Sequence, residues 1–474
     1  MKLIYNVKDK PKFGQRIIFA FQQLLAIMAA TIAVPAIVGN GMTPSAALFG
    51  AGVGTLVYLL FTKFRSPVFL GSSFAFLGSM FAAFVGAVSV QAGYIGLIIG
   101  AGFAGLVYVV IAIVVKFAGV KWIDRVMPAV VIGPTVAIIG LCLASNAVGD
   151  MMKGNVGEYA VQQTVVNGAV TGEISVFLPT ASPYIALVCA LVTLFVVILS
   201  SVYGKKTMKL IPFIIGIMAG YAVALCFTII GNATGNDALK VINLAPFQNL
   251  LTDGQVTIET FLRIPKFTFL EGASGLGQIT GSYIATVAVA YIPVAFVVFA
   301  EHLADHKNLS SIIEHDLLED PGLHRSLLGD GIGSFAGAFF GGCPNTTYGE
   351  SIGCVAITKN ASVSTITLTA FLTMAVAFVS PFVAFLESIP NCVMGGVCMT
   401  LYGFIAVSGL KMVQKVDFED NRNLFVVSVI LIAGIGGLSL TFGNVTITEI
   451  ACALILGIIV NAVVSIGKNK KKEN

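Results

Sequence analysis

Glu350 closes the run Cys343-Pro344-Asn345-Thr346-Thr347-Tyr348-Gly349-Glu350, and between Arg325 and Lys359 the only other charged residue is Asp330. A carboxylate set in apolar sequence is costly unless it is hydrogen-bonded, paired or protonated, which makes it a candidate functional group. Pro, Gly and hydroxyl residues just before Glu350 predict a break in the helix. Irregular backbone at membrane depth is tolerated only where protein or a water-lined cavity satisfies its polar groups. Glu301 and Asp305 are four residues apart and share one helix face, following the apolar run Tyr283–Ala300 that contains Pro293. Carboxyls gathered in a poorly solvated cavity favour keeping a proton on one of them. Such a set can bind protons reversibly and accept hydrogen bonds from N–H groups. A solvated acid pair at the inner membrane edge is the other reading of Glu301 and Asp305.

The elements that position these acids are membrane spans. The 474 residues are 57% hydrophobic and 11% charged, whereas soluble domains carry about 25% charged residues. Met1–Arg16 is basic and polar, so no cleavable signal is expected. About fourteen apolar segments approach the roughly 20 residues of a spanning helix, two of them short and interrupted. With the N-terminus inside, the inner connections collect Lys63 and Arg65, then Lys116, Lys121 and Arg125, then Lys205, Lys206 and Lys209. Lys307 with Arg325, Lys359, Lys411 with Lys415 and Arg422, and the tail Lys468–Lys472 follow. That arrangement puts 23 of 27 basic residues inside and leaves Lys153, Lys240, Arg263 and Lys266 outside, as the positive-inside rule demands. Both termini are thereby cytoplasmic. The net charge of +4 sits on the inner face and suits anionic inner-leaflet lipid. A basic face with interleaved aromatics is missing, which excludes a nucleic-acid surface.

The chain resembles itself. Leu48-Phe49-Gly50-Ala51-Gly52-Val53-Gly54-Thr55 matches Leu327-Leu328-Gly329-Asp330-Gly331-Ile332-Gly333-Ser334, and Ser72-Ser73-Phe74-Ala75 matches Thr346-Thr347-Tyr348-Gly349. A proline, Pro67 or Pro344, stands between the two matches in each half. Seven spans per half is an odd number and forces the halves into opposite orientations, the inverted-repeat plan of secondary transporters, whose paired interrupted segments mark the site. Here those segments are Pro67–Phe76 and Cys343–Gly353. Half-helices starting there aim free backbone N–H groups into the cavity. Donors beside the Glu350 acceptor suit a flat, amide-like heterocycle, and a carboxylate that loads and releases a proton suits proton coupling. Asp330 replaces Ala51 of the other half, as a working group or as a helix-end residue near the inner interface.

Other patterns carry less. The glycines Gly50–Gly54 and Gly329–Gly333 read as helix-packing positions, not nucleotide loops. The eight cysteines contain no CxxC pair, so neither a disulfide framework nor a zinc site is expected, and Cys343 and Cys354 read as small apolar fillers. His315 and His324 belong to a solvated inner segment, Lys307–Arg325, while His302 and His306 adjoin the acids. The outer loops Gly149–Pro183 and Gly231–Gln278 are polar and carry no assigned chemistry. No nucleophile–base pair or metal spacing points to an enzyme. An anion carrier on this plan would place a basic residue at the half-helix breaks, where none stands, and a channel would show flux without gradient coupling.

The runs Pro344–Glu350, Gly71-Ser72-Ser73-Phe74-Ala75-Phe76, Ala300-Glu301-His302 and Asp320-Pro321-Gly322-Leu323-His324-Arg325-Ser326 resemble the nucleobase–cation symporters, or nucleobase–ascorbate transporters, with the uracil permeases as nearest branch. The resemblance extends from Gln22 to the last span. It implies an all-α polytopic membrane protein of fourteen spans in two inverted repeats of seven, with short extended stretches in spans three and ten. Spans one to four and eight to eleven would form a core domain and the others a gate domain. The chain would divide at 1–125 (core), 126–280 (gate), 281–388 (core) and 389–474 (gate and basic tail). Glu301 and Glu350 would accept hydrogen bonds from pyrimidine ring N–H groups. Backbone N–H groups at Phe74 and Gly349 would meet its carbonyls, with Ser73 and Tyr348 shaping the pocket. Glu350, Glu301 and Asp305 would carry the proton. The resemblance implies uracil import with protons by an elevator-type movement, in a homodimer of the cytoplasmic membrane, with no cofactor or metal. Gln23 stands where many members have His, Ser351 where Asn is common, and Asp305 where some uracil carriers have His. Gln23, Ser351 and Asp330 are candidate modulators. A purine base (xanthine, urate or guanine) and sodium coupling are the alternatives.

Overall fold

The computed structural model describes residues 3–120, 122–123, 127–166, 169–205, 208–209, 211–251, 254–414, 416–442 and 445–470. Lys2, Lys121, Arg125, Lys206, Lys415, Lys471 and Lys472, counted among the inner basic residues, lie outside the described residues.

In chain order the main elements are α1 (Phe13–Val38), α2 (Pro44–Phe61), β1 (Leu70–Ser72), α3 (Leu77–Val85), α4 (Val90–Ala118) and α5 (Ala129–Cys142). The hairpin β2 (Gly157–Val166) and β3 (Ala169–Pro179) precedes α6 (Pro183–Tyr203) and α7 (Pro212–Thr234). Then come α8 (Gly281–Ile313), α9 (Leu323–Gly341), β4 (Asn345–Thr347), α10 (Gly349–Thr358), α11 (Val363–Val376) and α12 (Asn391–Val413). The chain closes with α13 (Asn421–Ile435), the short pair β5 (Leu440–Phe442) and β6 (Val445–Ile447), and α14 (Glu449–Lys470). Among the described residues nine helices are long and apolar enough to cross a bilayer, and Phe74–Val85, Val363–Val376 and Asn421–Ile435 are shorter apolar helices. The chain is a mostly helical, multi-pass membrane protein. Nine is fewer than the apolar segments counted in the sequence because several of those segments are broken or short: α3 has nine residues and α10 ten.

Local chemistry sets the boundaries. Ser89 accepts a hydrogen bond from Ala92 N–H at the start of α4, and Thr280 accepts one from Tyr283 N–H at the start of α8. Gly119 and Gly342 end α4 and α9 at φ of 72° and 75°, where a side chain would be strained. On α4, Leu106, Val110, Ile113 and Phe117 are 57, 53, 50 and 81% exposed. Their spacing forms one helical stripe, an apolar surface that lipid covers and water would not tolerate.

Two compact units are present. The first comprises Met1–Leu143, Arg263–Val379 and Leu401–Asn474; the second comprises Ala144–Leu262 and Ser380–Thr400. The second unit packs α6 on α7 and holds the β2–β3 hairpin within the polar segment Gly149–Pro183. Its helices meet through small residues, with Gly216 and Gly220 of α7 against Thr193 of α6.

The first unit is built around α2, α4, α9 and α11. The glycine motifs on α2 and α9 face each other: a Cβ on Gly54 would stand 2.7 Å from the Gly333 carbonyl oxygen, and one on Gly333 would stand 2.7 Å from that of Gly54. Gly52 faces the Ala370 carbonyl of α11 at the same distance. The glycines are therefore packing positions, and they let backbones approach within membrane where burial of apolar surface gives little drive.

Candidate functional site

The two interrupted segments meet. β1 and β4 pair antiparallel, with Leu70 opposite Thr347, Gly71 opposite Thr346 and Ser72 opposite Asn345. Around this pair the broken backbone finds partners, as it must at membrane depth. Ser73 N–H donates to the Pro344 carbonyl at 2.9 Å and Tyr348 N–H to that of Phe69 at 3.2 Å. Leu70 N–H donates to Thr55 Oγ1 at 2.9 Å, and Asn345 Nδ2 to the Gly50 carbonyl at 3.1 Å, so the glycine-motif helix α2 also holds both strands. Each strand leads into a helix start, at Phe74 through one 3₁₀ turn and at Gly349 directly. The first N–H groups of such helices have no intrahelical partner. Phe74 is buried, and its ring meets Tyr402 edge-on with centroids 5.3 Å apart. Gly349 is exposed, with open space where a side chain would be.

Glu350 occupies the first turn of α10. Glu301 and Asp305 lie within α8, which runs on to Ile313. Glu301, Asp305 and Glu350 are half-buried and lie within electrostatic reach of one another. A direct link joins the segments: Thr347 Oγ1 donates to Asp305 Oδ2 at 2.7 Å. The structure thus brings the three acids around the β4–α10 junction.

The other candidates fall close by. Gln23 Nε2 on α1 donates to Ser351 Oγ at 2.5 Å, and Ser351 Oγ also accepts Phe69 N–H at 3.1 Å. Gln23 and Ser351, two of the positions set apart from the family pattern, are therefore one unit, anchoring α10 to α1 and to the residue before β1. Tyr348 donates through its hydroxyl to the Ser72 carbonyl at 2.7 Å. Its ring lies on Gly71, where a Cβ would collide with it. Ser73 is buried beside the strands, and its hydroxyl has no partner among the described residues.

Asp330 is not at a helix end. It lies inside α9, 1% exposed, with Oδ2 at 2.6 Å from His302 Nδ1. His302 Nε2 is 2.9 Å from Ser326 Oγ. His306 stacks on His302 with ring centroids 3.9 Å apart, and its Nε2 is 2.8 Å from the Tyr58 hydroxyl, which is 2.7 Å from Ser66 Oγ. Both histidines are fully buried, whereas the side chain of His315 is 47% exposed. Tyr58 and Ser66 carried no signal in the sequence beyond being hydroxyls in apolar runs, and nothing local told which partners Thr347 and Ser326 take. Outside the spans, Asp320 pairs with Arg65 of the α2–β1 loop. The hydrogen bond from Arg65 holds the Asp320 carboxyl below its usual range.

Two paired strands, each leading into a helix start, and three half-buried acids thus sit in an apolar, multi-pass bundle. Solved structures share this fold. The transmembrane domain of the cyanobacterial bicarbonate transporter BicA matches with a TM-score of 0.60 at 15% identity, covering 96% of this chain and 100% of that one. Murine Slc26a9, an anion transporter solved facing inward, matches at 0.58 and 13%, covering 97% and 69%. At such identities the likeness concerns the fold alone.

Sequence places the chain more closely. Residues 14–443 match the model of Xan_ur_permease, a permease family. The uracil permease of Bacillus caldolyticus is 37% identical over 476 residues, covering 100% of this chain and 97% of that protein. The uracil permease of Bacillus subtilis (strain 168) is 34% identical, with 100% and 98% covered. That of Escherichia coli (strain K12) is 31% identical, with 96% and 92% covered. The chain belongs to the Xan_ur_permease family, as its resemblance to the nucleobase–ascorbate transporters implies, and is a permease rather than an enzyme.

Proposed function

We propose that this permease imports uracil together with protons across the cell membrane. Relatives at 31–37% identity over nearly their whole length are uracil permeases. The observation that carries the reading is the Thr347–Asp305 hydrogen bond, which holds the acid face of α8 against the helix start bearing Glu350. Glu301 and Glu350 accept the two ring N–H groups of uracil. Backbone N–H groups at Phe74 and Gly349 meet its carbonyl oxygens, and Ser73 and Tyr348 line the pocket. A carboxylate paired with a neutral base in an apolar surround is costly, so proton uptake by Glu350, with Glu301 and Asp305, accompanies binding. Gln23, Ser351 and Asp330 act on the site through the residues that they hold.

The reciprocal α2–α9 glycine contact and the β1–β4 pairing support two inverted sevens, hence fourteen spans with cytoplasmic termini. A core (1–125 and 281–388) moves past a gate (126–280 and 389–474) as an elevator, in a homodimer. The test is uptake of radiolabelled uracil by proteoliposomes with an acid outside, in competition with xanthine, guanine and urate. Uracil should compete alone, and Glu350→Gln should abolish uracil-driven proton movement. Purines displacing uracil, or undiminished proton coupling in the variant, would overturn the reading.

A further inference from the structure

Behind β4 a small cavity lies between α4, α8 and α9. Phe76, Val298 and Gly105 line its apolar side, and Tyr108, Asp330 and Ser334, with Asn345 and Thr346 of β4, its polar side. Tyr108, Asp330 and Ser334 are 4, 1 and 5% exposed, and each has a buried oxygen with no protein partner: Tyr108 Oη, Asp330 Oδ1 and Ser334 Oγ. Three unpaired polar atoms facing one cavity are unusual, because buried polar groups in folded proteins are nearly all hydrogen-bonded. The room for the centre of a water is about 10 Å³, at the lower edge of the roughly 10–15 Å³ that one water needs.

We propose that this cavity is a binding site for a single water molecule, held by Tyr108, Asp330 and Ser334. The donors and acceptors match. Asp330 Oδ2 is already taken by His302 Nδ1, so Oδ1 needs one donor. The hydroxyls of Tyr108 and Ser334 are donors without acceptors. A water accepts from both hydroxyls and donates to Oδ1, which satisfies all three with one molecule. A sodium ion has no lone pair to accept the hydroxyl hydrogens of Tyr108 and Ser334, which a water does. The water joins α4 to α9 and fixes the second oxygen of the carboxylate that holds His302, the residue beside Glu301. The assignment rests on the buried oxygens alone and is independent of the substrate or ion carried.

The test is a structure of the full-length protein in nanodiscs at a resolution that shows ordered water, in sodium buffer and with N-methylglucamine replacing sodium. One peak should appear in both, about 2.5–3.0 Å from each of the three oxygens. No peak, a peak seen only with sodium, or an anomalous signal there after exchange into thallium(I) would overturn the proposal. Ser334→Val fills the cavity and should erase the peak, so a peak of unchanged strength in that variant counts against the site. Should that variant not fold, Tyr108→Phe removes one partner and should lower the water's occupancy. An undisturbed peak in Tyr108→Phe would likewise sink the assignment.

Discussion

The two interrupted segments share a backbone plan and differ in chemistry. Each has a three-residue strand leading into a short helix, and the strands pair with each other. The first runs Ser72-Ser73-Phe74 and carries no charge; the second runs Thr346-Thr347-Tyr348-Gly349 and ends on Glu350. The same asymmetry recurs in the packed glycine motifs, where Ala51 of α2 stands against Asp330 of α9. Backbone donors come with any helix start, so both segments can provide them. A carboxylate in membrane needs partners, and these exist on one side only: Thr347 with Asp305, and His302 with Asp330. The fold is thus near-symmetric, while the costly groups are confined to the half that contains α8.

The largest expected effect is on binding. If the charged half provides the acceptors, Glu301→Ala should weaken uracil binding by about 1.5–3 kcal/mol, roughly tenfold to hundredfold in Kd. Calorimetry that finds wild-type affinity would break the comparison at its centre. The glycines of the two segments should separate stability from function. Gly71→Ala drives a methyl into the Tyr348 ring and should destabilise the protein by about 1–3 kcal/mol, as overpacking does. Gly349 faces open space, so Gly349→Ala should leave thermal unfolding in detergent unchanged and lower uptake. Equal melting shifts in the two variants would contradict this division.

A smaller effect is expected at the link between β4 and α8. Thr347→Val removes a hydrogen bond to a carboxylate and should cost about 1 kcal/mol in stability or binding, whereas Ser73→Ala, which has no such partner, should cost less. Matching losses would show that the two segments are chemically alike. The smallest effect lies at the solvent-exposed pair of Arg65 and Asp320, worth less than about 1 kcal/mol. Its folded carboxyl titrates below the unfolded value of about 3.9. The stability it adds is therefore full above that value and lost as pH falls through the lower folded pKa. The melting gap between wild type and Asp320→Asn should be present at pH 7 and close in acid. A gap that widened on acidification would contradict the pairing.

Much of the site was legible because membrane makes charge conspicuous. Glu301, Asp305, Asp330 and Glu350 stand out against apolar runs, and Pro344 with its hydroxyl neighbours announces a broken helix. The glycine motifs declared themselves as packing positions for the same reason. The partners of the hydroxyls gave no such warning. Ser66 and Ser326 look like many other Ser and Thr in apolar runs, which can bond to their own backbone one turn back, and Thr347 marked the break without naming Asp305 as its acceptor. Asp330 was ambiguous, since a lone acid near a helix start can equally be solvated.

Composition and charge placement alone determine that this chain lives in a bilayer, and self-similarity singles out the two segments where its helices break. Those properties are written in residue type and spacing, because lipid penalises every polar group that lacks a partner. Which partner each polar group takes was decided by the fold. Gln23 and Ser351 are separated by 328 residues, and Tyr348 and Ser72 by 276. No local pattern joins positions so distant; only the packing of α2 on α9 and the pairing of β1 with β4 bring them within hydrogen-bonding reach.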